Sequence, residues 1–188
     1  MRNHSSIVLH WGATPAERAL SFPCDGYLVD ADQAYFRAVD VRAPAATLFR
    51  WLCQLKAAPY SYDLLDNSGR RSPRRLIPGL EQLAPGQRVM SIFELVAFEN
   101  DRHLTLVLVK PRAVALFGEI ACSYTIVPQS GGGCRLVVKM LVRYPLRGRS
   151  ALMRWILPWG DLIMMRKQLL TLARLAEHSV REARPNLY

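Results

Sequence analysis

The chain has no apolar run long enough to span a bilayer. Its most apolar stretch, residues 151–165, is interrupted by Arg154, Pro158, Gly160 and Asp161, whereas a spanning helix needs about 20 apolar residues in succession. No charged N-terminal segment leads into an apolar one, so no secretory signal is expected. Cysteine is sparse: Cys24, Cys53, Cys122 and Cys134 show no CxxC or other metal-ligand spacing. Cys53 and Cys122 lie in apolar runs, where a free thiol behaves as a small buried hydrophobe, and a reducing cytoplasm fits this usage. His4, His10, His103 and His178 form no HxxxH or HExxH pattern. Neither a metal site nor a cofactor is expected.

Acidic residues are also scarce, 15 against 25 Lys and Arg, giving a formal net charge of +10. That balance favours anionic partners, whether nucleic acid, phospholipid headgroups or acidic metabolites. The one tight basic cluster, Arg70, Arg71, Arg74 and Arg75, falls among Asn67, Gly69, Pro73 and Pro78, and reads as a solvated loop. No repeat, low-complexity tract or polar linker divides the chain. With 188 residues and 51% hydrophobic content, one domain with a substantial core is expected.

Residues 1–32, punctuated by Pro15, Pro23 and Gly26, read as an irregular arm on the body; 33–183 form the domain and 184–188 a tail. Gln33–Arg42 alternates as a strand through Tyr35, Arg37, Val39 and Val41. Ala43-Pro44 opens a helix with Leu48, Trp51, Leu52 and Leu55 as its apolar stripe, stopped by Pro59. A second short helix is expected over Tyr62–Asn67, then the basic loop and a turn at Pro85-Gly86. After Pro145 a helix runs nearly to the end, with a break expected at Pro158–Gly160. Its apolar stripe is Leu162, Met165, Leu169, Leu172 and Ala176, while Arg166, Arg174, Glu177 and Arg181 lie off that stripe.

Between these helical parts the pattern is that of hairpins. Gln87–Glu99 and Arg102–Lys110 read as strands joined at Asn100-Asp101, a pair that tolerates positive φ. A two-residue turn there sets Ala97 opposite Leu104, Leu95 opposite Leu106 and Phe93 opposite Leu108. Val89, Ser91, Phe93, Leu95, Leu104, Leu106 and Leu108 then share one face, and Arg88, Glu94, His103 and Thr105 the other. A second hairpin runs from Val114 to Val127, turns through Ser130–Gly133 and returns from Cys134 to Tyr144. Pro128 opposite Cys134 pairs Ile126 with Leu136, Tyr124 with Val138, Cys122 with Met140 and Ile120 with Val142. The other face pairs Ser123 with Lys139 and Glu119 with Arg143, the latter oppositely charged. A sheet with one apolar face must be covered, and the last helix is long and apolar enough to cover it.

This order of elements resembles the SRPBCC superfamily, also called START-like or helix-grip proteins, with its polyketide cyclase and dehydrase-like group. FRAVDVRAPAATLFRWLCQL, residues 36–55, is similar to that superfamily's opening strand, Ala-Pro start and Trp-containing first helix. APYSYDLLDNSGRRS, residues 58–72, is similar to segments of uncharacterised bacterial members. The resemblance covers residues 30–183 and implies an α+β fold: a curved antiparallel sheet wrapped around a long C-terminal helix, with two short helices after the first strand. It implies an apolar cavity between sheet and last helix, used by relatives for lipids, sterols, polyketides and plant hormones. Some of those relatives are enzymes and others only bind or transfer.

On these registers the inward faces carry only Ser91, Cys122 and Tyr124 as polar groups, and Glu94 and Glu119 point outward. No carboxylate pair, Ser-His-Asp set or Cys-His pair faces inward, so no catalytic residue is assigned. The expected ligand pocket is Tyr60, Tyr62, Asp63, Ser91, Phe93, Leu95, Leu106, Cys122, Tyr124, Val138, Met140, Met165 and Leu169. The residues favour a non-catalytic binder or carrier of a hydrophobic small molecule or lipid. Two alternatives stand beside it. One is a polyketide cyclase, aromatase or dehydratase-like enzyme using Tyr60, Tyr62, Asp63 and Tyr124. The other is a nucleic-acid or ribosome partner resting on charge alone, without a recognisable motif. Trp155 and Trp159 read as helix packing, with an amphipathic gate touching a membrane beside Arg147, Arg149 and Arg154 as the functional alternative. The sequence leaves the oligomeric state open.

Overall fold

The computed structural model describes residues 4–62, 69, 71–145 and 149–183. The N-terminal arm is more regular than expected. It holds α1 (His4–His10), α2 (Pro15–Arg18) and a 3-10 turn over Pro23–Gly26. Thr14 starts α2 with a capping box: its hydroxyl accepts from the Glu17 N–H, and the Glu17 carboxylate accepts from the Thr14 N–H.

Strand β1 (Gln33–Val41) leads into α3 (Ala45–Cys53), which has Pro44 at its N-cap. Leu48, Trp51, Leu52 and Leu55 are all buried, as their spacing requires. The chain from 63 to 68, where a second helix was expected, lies outside the described residues. Next come β2 (Arg88–Val89), β3 (Phe93–Glu99), β4 (His103–Leu108), a short helix α4 (Pro111–Phe117), β5 (Glu119–Pro128) and β6 (Cys134–Arg143). The six strands form one antiparallel sheet in the order β1-β6-β5-β4-β3-β2. Helix α5 (Arg149–Ala183) closes the chain and packs across β1 and α3.

The second hairpin has the expected register throughout, from Pro128 opposite Cys134 to Glu119 opposite Arg143, whose side chains lie 2.7 Å apart. The first hairpin corrects two expectations. Residues 87–99 do not form one strand, because Met90 and Ser91 take φ of 48° and 60° and fold β2 back on β3, pairing Arg88 with Glu94. Ser91 is therefore exposed on a tight turn and does not line the inner face. At the other end Glu99 pairs with His103, so the loop spans 100–102, one residue longer than expected. A β-bulge at Val96 cancels that extra residue. Phe93 thus faces Leu108 and Leu95 faces Leu106 as expected, while beyond the bulge Ala97 faces Thr105 and Leu104 pairs with Phe98.

Two further expectations change. Residues 114–117 belong to α4, not to a strand: Pro111 sits in its first turn and Gly118, at φ 88°, ends it. Helix α5 runs unbroken through Pro158. Pro158 is buried, and its carbonyl accepts from the Arg37 guanidinium of β1 at 3.5 Å.

Both faces of the sheet are covered. On the face away from α5, Phe22, Cys24 and Leu28 of the arm pack with Phe36, Ala38, Ala121, Val137 and Leu141. Thr105 and Ser123, polar positions on that face, are buried beneath the arm. Their hydroxyls meet at 2.9 Å, and Ser123 also accepts from the Cys24 N–H at 2.9 Å.

Candidate functional site

The layer between sheet and α5 is built from alternate residues of the inner strands. Leu95, Leu104, Leu106, Cys122, Tyr124, Val138 and Met140 are buried in one cluster with Leu169 and Leu172 of α5, and Phe93 and Met165 pack at its margin. Tyr60 belongs to the same cluster, its ring edge-on to Trp51 at 6.1 Å. Tyr62, by contrast, is 40% exposed, and Asp63 lies outside the described residues.

Polar groups inside this layer are paired with one another. The Tyr124 hydroxyl donates to Gln168 Oε1 at 2.7 Å, and Gln168 Nε2 donates to the Pro59 carbonyl at 2.7 Å. Burial pushes the Tyr124 phenol and the Cys122 thiol well above their ordinary values, so neither is a ready nucleophile or base. Further along β1, Arg37 is only 1% exposed and forms an ion pair with Asp161 of α5 at 2.7 Å, the Asp161 side chain being 8% exposed. Burial raises the Asp161 carboxyl to about 6, against the pull of Arg37. Tyr35 and Tyr144 share a hydrogen bond at 2.5 Å beside this pair, and Tyr144 donates to Gln33 Oε1 at 3.1 Å.

Arg37, Asp161 and Gln168 were not singled out as site residues from the sequence. Each left a signal, a polar side chain on an otherwise apolar face: Arg37 alternates with Tyr35 and Val39, Asp161 is the lone acid in an apolar stretch, and Gln168 adjoins the Met165–Leu169–Leu172 stripe.

The first half of α5 has a second apolar side. Met153 and Leu157 pack inward, whereas Leu152, Trp155, Ile156, Trp159 and Ile163 form an exposed ridge on which Trp155 is 71% open. No helix among the described residues is long and apolar enough to cross a membrane.

The six-stranded antiparallel sheet wrapping one long C-terminal helix decides the architecture. This is the START-like, helix-grip fold. A solved structure of a Mesorhizobium loti protein is similar to this chain, with TM-score 0.50 at 13% identity, over 78% of this chain and 98% of that one. Other solved structures similar to this chain include the Zhui aromatase/cyclase from Streptomyces, with 13% identity, 80% and 97% coverage and TM-score 0.47. A START superfamily protein from Mycobacterium smegmatis matches at 16% identity, 80% and 99% coverage and TM-score 0.42. No family model and no curated protein matches the chain.

Proposed function

We propose that the protein binds and carries a hydrophobic small molecule or lipid between its sheet and C-terminal helix, without changing it chemically. The walls would be Phe93, Leu95, Leu106, Cys122, Val138, Met140, Met165 and Leu169. One observation carries this reading: the inner face is largely apolar, and Tyr124 and Arg37 within it are paired with Gln168 and Asp161 of α5. Burying apolar ligand surface there yields about 25 cal/mol per Å² without needing a reactive group. General acid–base chemistry needs a titratable side chain free to meet substrate. Here Asp161 is committed to Arg37 and Tyr124 to Gln168.

The ridge of Leu152, Trp155, Ile156, Trp159 and Ile163 supports a second element of this proposal, contact with an anionic membrane surface from which the ligand is drawn. Paired tryptophans on a helix suit the bilayer interface, and a chain of net charge +10 is drawn to anionic headgroups.

Fluorescence titration with the neutral apolar probe N-phenyl-1-naphthylamine tests the carrier reading. Saturable uptake with blue-shifted emission is expected, lost in Met140→Trp, where the larger ring fills the space. A protein that takes up no probe, or a variant that binds as well as the wild type, contradicts it. Recovery of a chemically altered substrate would favour the cyclase-type reading instead.

A further inference from the structure

Beside the second half of α5 lies an open cleft of about 320 Å³. Its helical wall presents Lys167, Thr171 and Arg174, spaced i, i+4 and i+7 and hence on one helix face, and Arg74 closes the opposite side. No carboxylate lines it among the described residues. Among the described residues none of Arg74, Lys167 and Arg174 forms an ion pair, although most of the ion pairs there satisfy an arginine. Three like charges around one hollow repel each other, and an anion bound among them relieves that repulsion.

The floor of the cleft differs from its walls. Tyr60 and Leu175 form it, the first buried in the central cluster and the second packed against it. Gln168, next to Lys167, holds the carbonyl of Pro59 just before Tyr60 and accepts from Tyr124 inside. The cationic walls therefore stand directly over the edge of the apolar interior.

We propose that this cleft reads the anionic headgroup, carboxylate or phosphate, of an amphiphile whose apolar part lies between sheet and helix. The ligand class is then an acidic amphiphile and not a neutral one. This rests on the carrier reading above, and the two can fail separately.

The test compares laurate with dodecanol, which share a chain length and differ in the head, as competitors of N-phenyl-1-naphthylamine at neutral pH. At low salt the wild type should bind laurate about tenfold more tightly than dodecanol, and the gap should close at high ionic strength. In the combined variant Arg74→Gln, Lys167→Gln, Arg174→Gln the gap should close at low salt too, with dodecanol affinity unchanged. These side chains are exposed, so the fold is expected to survive. Equal affinity for the two competitors in the wild type, or a preference for laurate that survives in the variant, overturns the headgroup assignment alone. If neither displaces the probe, both readings fall. Inorganic phosphate competing as well as laurate would mark a site for free anions and also overturn it.

Discussion

Arg37 and Asp161 set the sharpest test at the scale of the single residue. A guanidinium and a carboxylate removed from water are tolerable only together, and deleting one partner leaves the other unpaired in an apolar layer. Arg37→Met should lower stability by about 3–5 kcal/mol, and the double variant Arg37→Met, Asp161→Leu should recover part of that loss in urea denaturation. The pair also carries a pH signature. The folded state holds the Asp161 proton to about pH 6, against an ordinary value of 3.8, so it binds that proton more tightly than the unfolded chain does. The contribution is full below pH 4 and declines as pH rises through 6. Relative to Asp161→Asn, the wild type should lose stability over that window; a flat or rising difference contradicts the assignment. The sequence showed each of these residues as a charge on an apolar face. It could not show that they meet, because a contact between β1 and α5 leaves no local spacing to read.

At the scale of the element, local chemistry explains both what was legible and what was not. The β5–β6 register could be read because a proline and a glycine-rich turn fix its end and the residues sort cleanly by face. The β3–β4 pairing was half legible: the longer loop and the Val96 bulge offset each other, so the inner pairs came out right while the pairs near the turn did not. Helix α4 was missed because its apolar residues continue the β pattern, although Pro111 before it and Gly118 after it are helix punctuation. Helix α5 carries this scale's prediction. Its exposed ridge should bind vesicles containing phosphatidylglycerol, and Trp155→Ser with Trp159→Ser should reduce co-sedimentation several-fold while leaving the melting temperature intact. Unchanged sedimentation would contradict a membrane role. So would a wild-type dimer that the substitutions dissociate, since the ridge would then join two copies.

For the whole molecule, the order of elements announced the helix-grip architecture, and the structure has it. Of the expected pocket, Leu95, Leu106, Cys122, Tyr124, Val138, Met140 and Leu169 gather in one cluster under α5 with Tyr60, and Phe93 and Met165 pack against it. Ser91 and Tyr62 do not join it, because a positive-φ turn carries the first outward and the second stays exposed. The arm's role on the opposite face was not legible as packing, since Phe22, Cys24 and Leu28 are too irregularly spaced to mark a face.

The central claim is that an apolar ligand lies between this sheet and this helix. Methyl NMR of protein labelled at its methionine methyls measures that most directly during titration with N-phenyl-1-naphthylamine. The Met140 and Met165 methyls should undergo ring-current shifts and show Overhauser contacts to the probe. Saturating probe that leaves both methyls unmoved would contradict the account.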